Sequence, residues 1–243
     1  MKGGHNIKNF SKKEIIITSW KIMVPHLALM VIIILFIFSL NIVLSLIQDR
    51  LLGEITAQTI MFIISASLFQ MGLNLGLLRI CINIINNEEV KFSYLFGSFH
   101  MLISYVLATI VYLAALIISA SPGIILLITT ATSDLTSLSG NNIMSSGSTV
   151  FGILLIIVPV VYLSVRLQFY DYFLIDENCN AIESIIKSAH ISKGYVLELF
   201  ILGAIISIII LVSIIPFGAG LIISVPFASM VTSYIYVKLK KHS

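Results

Sequence analysis

Six polar side chains fall inside or just beside long apolar runs: Gln70, Asn74 and Arg79, then Arg166, Gln168 and Asp171. A charge at the centre of a bilayer costs about 2.5–3.5 kcal/mol on insertion scales, so one kept there needs a role or a route to the surface. Facing inward from the second and fourth apolar runs, the six would make a cationic polar cleft. Such a cleft suits an anionic head group or a small solute. A plainer account is open for each residue. Arg79 and Arg166 lie within a turn or two of the ends of their runs, where long stems reach the interface and anchor the topology. Asp171 can simply neutralise either arginine.

Other chemistry is thinner. His26 and His100 have no carboxylate or thiol at ligand spacing, so no metal site is expected. No glycine-rich phosphate loop follows a strand and no serine sits in a nucleophile elbow, so neither a cofactor nor an enzymatic activity is expected. Glu88-Glu89 and Phe96-x-x-x-His100 resemble fragments of intramembrane CAAX-type proteases. Ser93, however, stands where that motif needs arginine, and both fragments crowd one connector, which excludes the reading. Cys81 and Cys179 lie far apart and read as inert thiols.

The elements that must position these residues follow from composition. Hydrophobic residues make up 58% of the 243 and charged residues 10%, with a mean hydropathy of +1.09. A soluble domain carries roughly a quarter charged residues, so lipid must be the solvent for much of this chain. No basic stripe with interleaved aromatics appears, and no nucleic-acid partner is expected. The first apolar run is too long for a signal-peptide core and reads as an uncleaved span.

The pattern predicts an all-α polytopic integral membrane protein, a single domain over 1–243. Its six spans are expected near 22–48, 55–82, 101–128, 150–173, 196–215 and 221–237. Gly72 and Gly76 form a small-xxx-small contact face in the second span. Pro122-Gly123 predicts a kink or an end in the third. Residues 129–149 lack Lys and Arg, are rich in Ser, Thr, Gly and Asn, and read as a flexible loop. Tyr162, Tyr170, Tyr172, Tyr234 and Tyr236 fit an interfacial aromatic belt. All but Arg50 of the 14 Lys and Arg residues fall on one side of this layout. The positive-inside rule then puts both termini in the cytoplasm, in a bacterial plasma membrane.

Short interfacial helices are expected on that side over 11–21 and 181–193. The first opens on Ser11 with Glu14 three residues on, a capping-box start. The second sets Ile182, Ile185, Ile186 and Ala189 on one apolar face, ended by Gly194. Ser188 reads as a small residue that lets this helix pack. Glu14, Ile16, Ile17 and Ser19 match Glu183, Ile185, Ile186 and Ser188 in register, and Glu89 opens a more degenerate copy. The chain therefore reads as three units of surface helix plus hairpin.

Pro159, Tyr162 to Arg166 (YLSVR), Phe173 to Glu177 (FLIDE), the spacing of Ala181, Ser188 and Gly194, and Pro226 carry a likeness over 159–239. This stretch resembles the membrane domain attached to some bacterial glycerophosphodiester phosphodiesterases. It is equally similar to stand-alone bacterial membrane proteins of unknown function. The chain has Pro159-Val160 where the family pattern has Pro-Gly, and 129–149 looks like an insertion. The resemblance implies a helical membrane fold and no phosphodiesterase activity, because the catalytic domain is absent.

Two functions fit these readings. One is a non-catalytic module that binds or moves a small anionic or lipid-like ligand through the cleft. The other is a scaffold whose surface helices recruit a membrane-protein partner.

Overall fold

The computed structural model describes residues 11–51, 56–136, 147–215 and 218–242. Nine helices lie among them: α1 Lys12–Met23, α2 Leu27–Leu51, α3 Ala57–Ile85, α4 Leu102–Thr136, α5 Gly147–Leu167, α6 Tyr170–Glu177, α7 Ala181–Ile191, α8 Val196–Ile214 and α9 Leu221–Lys240. Six helical stretches are long and apolar enough to cross a membrane, and no strand occurs among the described residues. The chain is an all-α polytopic membrane protein. On α4, Ile103, Ile110 and Ile117 form one exposed stripe seven residues apart, as a lipid-facing surface requires.

The two predicted interfacial helices start alike. Ser11 Oγ accepts the Glu14 N–H at 3.4 Å, and Asn180 Oδ1 accepts the Glu183 N–H at 2.9 Å. Each cap satisfies a backbone donor that the first turn leaves free. A 3-10 turn at Val24–His26 absorbs Pro25 and passes the chain into α2. The third copy is not an α-helix. Its counterpart is a pair of 3-10 turns, Phe92–Leu95 and Phe99–Met101.

The three units close on one another. α1 packs on α9, the 92–95 turn packs on α3, and α7 packs on α6 and α4. Each interfacial element thus leans on the last helix of the unit before it, and the first unit leans on the third. Within units, α2 pairs with α3, α4 with α5, and α8 with α9. The core sits at the end of the bundle that carries the interfacial elements, here termed the basic rim. There Phe169, Tyr172 and Phe173 surround Tyr236 with ring centroids 5.1–6.1 Å from its own. Away from this rim α2 has no buried side chain beyond Ile34 among its described residues.

Several sequence expectations change. Pro122 does not end the third span, because α4 runs through it to Thr136. Proline leaves the Ile118 carbonyl without its usual N–H donor, and Ser121 Oγ donates to that carbonyl at 2.8 Å. Residues 129–136 and 147–149 are therefore helical rather than loop, while 137–146 lie outside the described residues, as do Lys2, Lys8, 52–55 and 216–217. The fourth span breaks at Gln168-Phe169 into α5 and α6. Ser188 bridges that break: its Oγ accepts the Phe169 N–H at 3.0 Å and donates to the Arg166 carbonyl at 3.2 Å. It is a hydrogen-bond partner, more than a small spacer.

The apolar face of α7 turns outward, as an interfacial helix requires. Ser184, Ser188 and Ile191 are buried, whereas Ile182 and Ile186 are 63% and 62% exposed. Small residues face the protein and isoleucines face out, where lipid can meet them. Three of the five belt tyrosines are core residues: Tyr170, Tyr172 and Tyr236 are buried. The hydroxyl of Tyr236 donates to Asp176 at 2.8 Å and that of Tyr170 meets Thr109 at 3.1 Å, which makes such burial tolerable.

The Gly72 and Gly76 face of α3 receives the 92–101 connector instead of another span. A Cβ at Gly76 would collide with the Leu95 carbonyl, and one at Gly72 would lie 2.6 Å from the Phe99 ring. Gly203, by contrast, has nothing near its missing Cβ. Gly76→Ala should therefore lower stability by about 1–3 kcal/mol through overpacking. Gly203→Ala should be neutral or raise it by about 0.5–1 kcal/mol, since a helical glycine is entropically costly. Thermal unfolding of both variants in the same detergent compares them directly, and equal losses would contradict this packing.

Candidate functional site

Gly72, Gly76, Arg79 and Asn83 follow one another at i, i+4, i+7 and i+11 on α3 and so share one face. The two glycines draw the connector in, and the two polar residues stand beside it at the basic rim. α3 then ends in a Schellman closure. Asn87 adopts φ 58°, its N–H donates to the Ile84 carbonyl at 3.2 Å, and the Glu88 N–H donates to the Asn83 carbonyl at 2.9 Å. This reversal folds Glu88 back over the end of the helix.

The result is a depression of about 500 Å³ lined by Arg79, Asn83, Glu88, Glu89, Tyr94 and Gly97. Glu89 is engaged by Lys91 at 3.1 Å. The side chains of Arg79, Asn83, Glu88 and Tyr94 make no hydrogen bond or ion pair with any other described residue. Arg79 is half-buried on a membrane-spanning helix, so its guanidinium is held at the rim with only solvent or a ligand to satisfy it.

Of the six residues singled out by type and spacing, Arg79 alone lines this depression. Gln70 is half-buried and Asn74 exposed, both earlier on α3. Arg166, at the end of α5, turns to α7, where its Nη2 donates to the Ala189 carbonyl at 2.5 Å, and its guanidinium lies 5.9 Å from the Tyr162 ring centre. Gln168 keeps a buried Nε2 without a partner, and Asp171 accepts the Tyr172 N–H at 2.9 Å. Aromatic rings fill the space where α6 and α9 meet, so the six do not surround a shared opening there. Asn83, Glu88 and Tyr94 were missed because each belongs to a helix end or a turn. Asn86-Asn87 before Glu88 was the available signal, since asparagine tolerates the left-handed conformation.

Residues 1–243 match a family described as Protein of unknown function (DUF975). The chain belongs to the DUF975 family. That membership carries no link to glycerophosphodiester phosphodiesterase membrane domains, so the resemblance read over 159–239 reduces to membership of an uncharacterised membrane family. No curated protein and no solved structure matches the chain.

Elsewhere on its rim this DUF975 protein pairs its charges. Lys240 Nζ lies 2.6 Å from Asp176 and 2.8 Å from Glu177, while Lys187 Nζ lies 2.7 Å from both Glu177 and Glu183. The pairs tie α6 to α7 and α9. Glu177 and then Glu183 hold the Lys187 ammonium well above the ordinary lysine value. Burial pushes the Cys179 thiol up, and its Sγ accepts from Lys187 at 3.2 Å.

Asp176 accepts from both Tyr236 and Lys240, so Asp176→Asn should destabilise the rim by about 1–3 kcal/mol. Glu89→Gln, at an exposed pair, should change stability by no more than about 0.5 kcal/mol. Unfolding in mixed micelles measures both, and a Glu89 effect as large as the Asp176 effect would contradict the assignment.

Proposed function

We propose that this protein is a non-catalytic module of a bacterial plasma membrane, with both termini in the cytoplasm, that binds a small anionic or lipid-like ligand at its cytoplasmic rim. The carrying observation is Arg79: a half-buried arginine on a spanning helix, beside a depression of about 500 Å³, with no protein partner among the described residues. A guanidinium presents a rigid fork that matches phosphate and carboxylate oxygens. The volume falls within the range of small-molecule sites. Its level on α3, in the last two turns before Asn86, suits a ligand whose charged part lies where hydrocarbon gives way to water. Arg166 braces the α5–α7 junction in this reading, and Gln70, Asn74, Gln168 and Asp171 do not line the depression.

The scaffold reading draws on the exposed Ile182 and Ile186 of α7. Lipid alone accounts for those side chains. Glu183 and Lys187, the charges a recruited partner would engage, already satisfy each other and Glu177. The ligand reading is therefore preferred.

Phospholipid added to the detergent-purified protein, at roughly 100 times its dissociation constant, should raise the melting temperature by about 5 °C. Arg79→Gln should remove that shift and leave the starting value unchanged. Arg166→Gln should lower the starting value, by loss of its bond to Ala189, and keep the shift. An Arg79→Gln variant that keeps the full shift would overturn the site.

A further inference from the structure

The depression holds charges of both signs that do not meet. Arg79 and Glu88 line the same space, yet they form no ion pair with each other or with any other described residue. Glu89 is already neutralised by Lys91. A site for a simple anion would be better served without Glu88, whose carboxylate repels it.

The backbone explains how Glu88 comes to be there. A Schellman closure is commonly sealed by an apolar contact between the residue after the left-handed position and the one a turn back in the helix. Here those two residues are Glu88 and Asn83, and both face the depression. The closure has given up its apolar seal and set a carboxylate over the carbonyl end of α3. That end of a helix carries partial negative charge, so it adds to the attraction for a cation. Arg79, a turn further back, carries the opposite sign. Tyr94 and Gly97 form the far wall, held in place because Gly76 lets the Leu95 backbone come close.

We propose that the occupant is a zwitterion carrying a phosphate and a primary ammonium group, as in the headgroup of an aminophospholipid. The phosphate oxygens take the Arg79 fork, the ammonium sits between Glu88 and the end of α3, and Asn83 and Tyr94 hydrogen-bond the linking atoms. This deepens the ligand-binding reading and rests on it. The rim position favours a lipid over a free solute, because an acyl chain can leave the depression along the exposed apolar flank of α3, where Met61 and Ile64 face outward.

The test is lipid binding by the full-length protein, read by native mass spectrometry from a non-ionic detergent with phosphatidylethanolamine, phosphatidylglycerol or soluble O-phosphoethanolamine. The wild type should bind phosphatidylethanolamine about fivefold or more tightly than phosphatidylglycerol. Glu88→Gln should erase that preference while retaining both lipids, and Glu88→Lys should reverse it. Arg79→Gln should weaken both, and Arg79→Lys should restore part of the binding. Melting of each variant in lipid-free detergent checks that the fold is intact. Equal binding of the two lipids, indifferent to Glu88 but sensitive to Arg79, would overturn the zwitterion and leave the anionic-ligand reading standing. Indifference to Arg79 would overturn both. O-phosphoethanolamine binding as tightly as the lipid would overturn the lipid source.

Discussion

Backbone amides and carbonyls that enter hydrocarbon find no water, so each must find its partner within the chain. That constraint makes this protein a set of helices, and it governs the places where the helices fail. At Pro122 the lost amide is answered by Ser121 on the Ile118 carbonyl. At the α5–α6 break, the carbonyl of Arg166 and the amide of Phe169 are both taken by Ser188 from the third unit. The carbonyl end of α7 is met by Arg166 at Ala189. A serine and an arginine thus join the second and third units by exchanging backbone partners, and the isoleucine-rich surfaces need only be greasy.

Because lipid is as apolar as isoleucine, burying isoleucine against isoleucine does little to hold spans together. What remains is close approach and polar contact, and both are concentrated at one end. Gly72 and Gly76 admit the connector before α4, Ser184 and Ser188 admit α7, and Asp176 gathers Tyr236 and Lys240. The cyclic leaning of each interfacial element on the preceding unit follows from the same economy. Every unit supplies one polar or glycine-bearing surface and one short element to cover it.

Helices, span number and the starts of α1 and α7 were legible because long apolar runs and cap residues act locally. Ser11 announces α1 within three residues, and the isoleucine spacing from Ile182 announces α7. The breaks were not legible. Pro122 read as a kink or an end because the compensating hydroxyl of Ser121 has no period to detect. The split at Gln168-Phe169 depends on Ser188, some twenty residues later. Tyr170, Tyr172 and Tyr236 read as interfacial because tyrosine at a span end usually is. Their burial depends on partners in other helices that no single stretch reveals. Arg79 and Arg166 looked equivalent by position. One had a carbonyl waiting for it across the fold, and the other did not.

That last difference separates construction from function. Both α3 and α6 end on an asparagine in the left-handed region, Asn87 at φ 58° and Asn178 at φ 52°, and both then enter an interfacial element. After Asn178 the rim's charge is paired: Cys179 is buried, and Glu177, Lys187, Glu183, Asp176 and Lys240 satisfy one another. After Asn87 it is not. Arg79, Asn83, Glu88 and Tyr94 surround space with side chains that meet no partner among the described residues. A fold that needed only stability at this point had a ready solution, since it uses ion pairs at the corresponding place one unit later. Two opposite charges kept apart beside a cavity, on a chain that pairs its charges at the matching place, are the feature that the proposed zwitterion would answer.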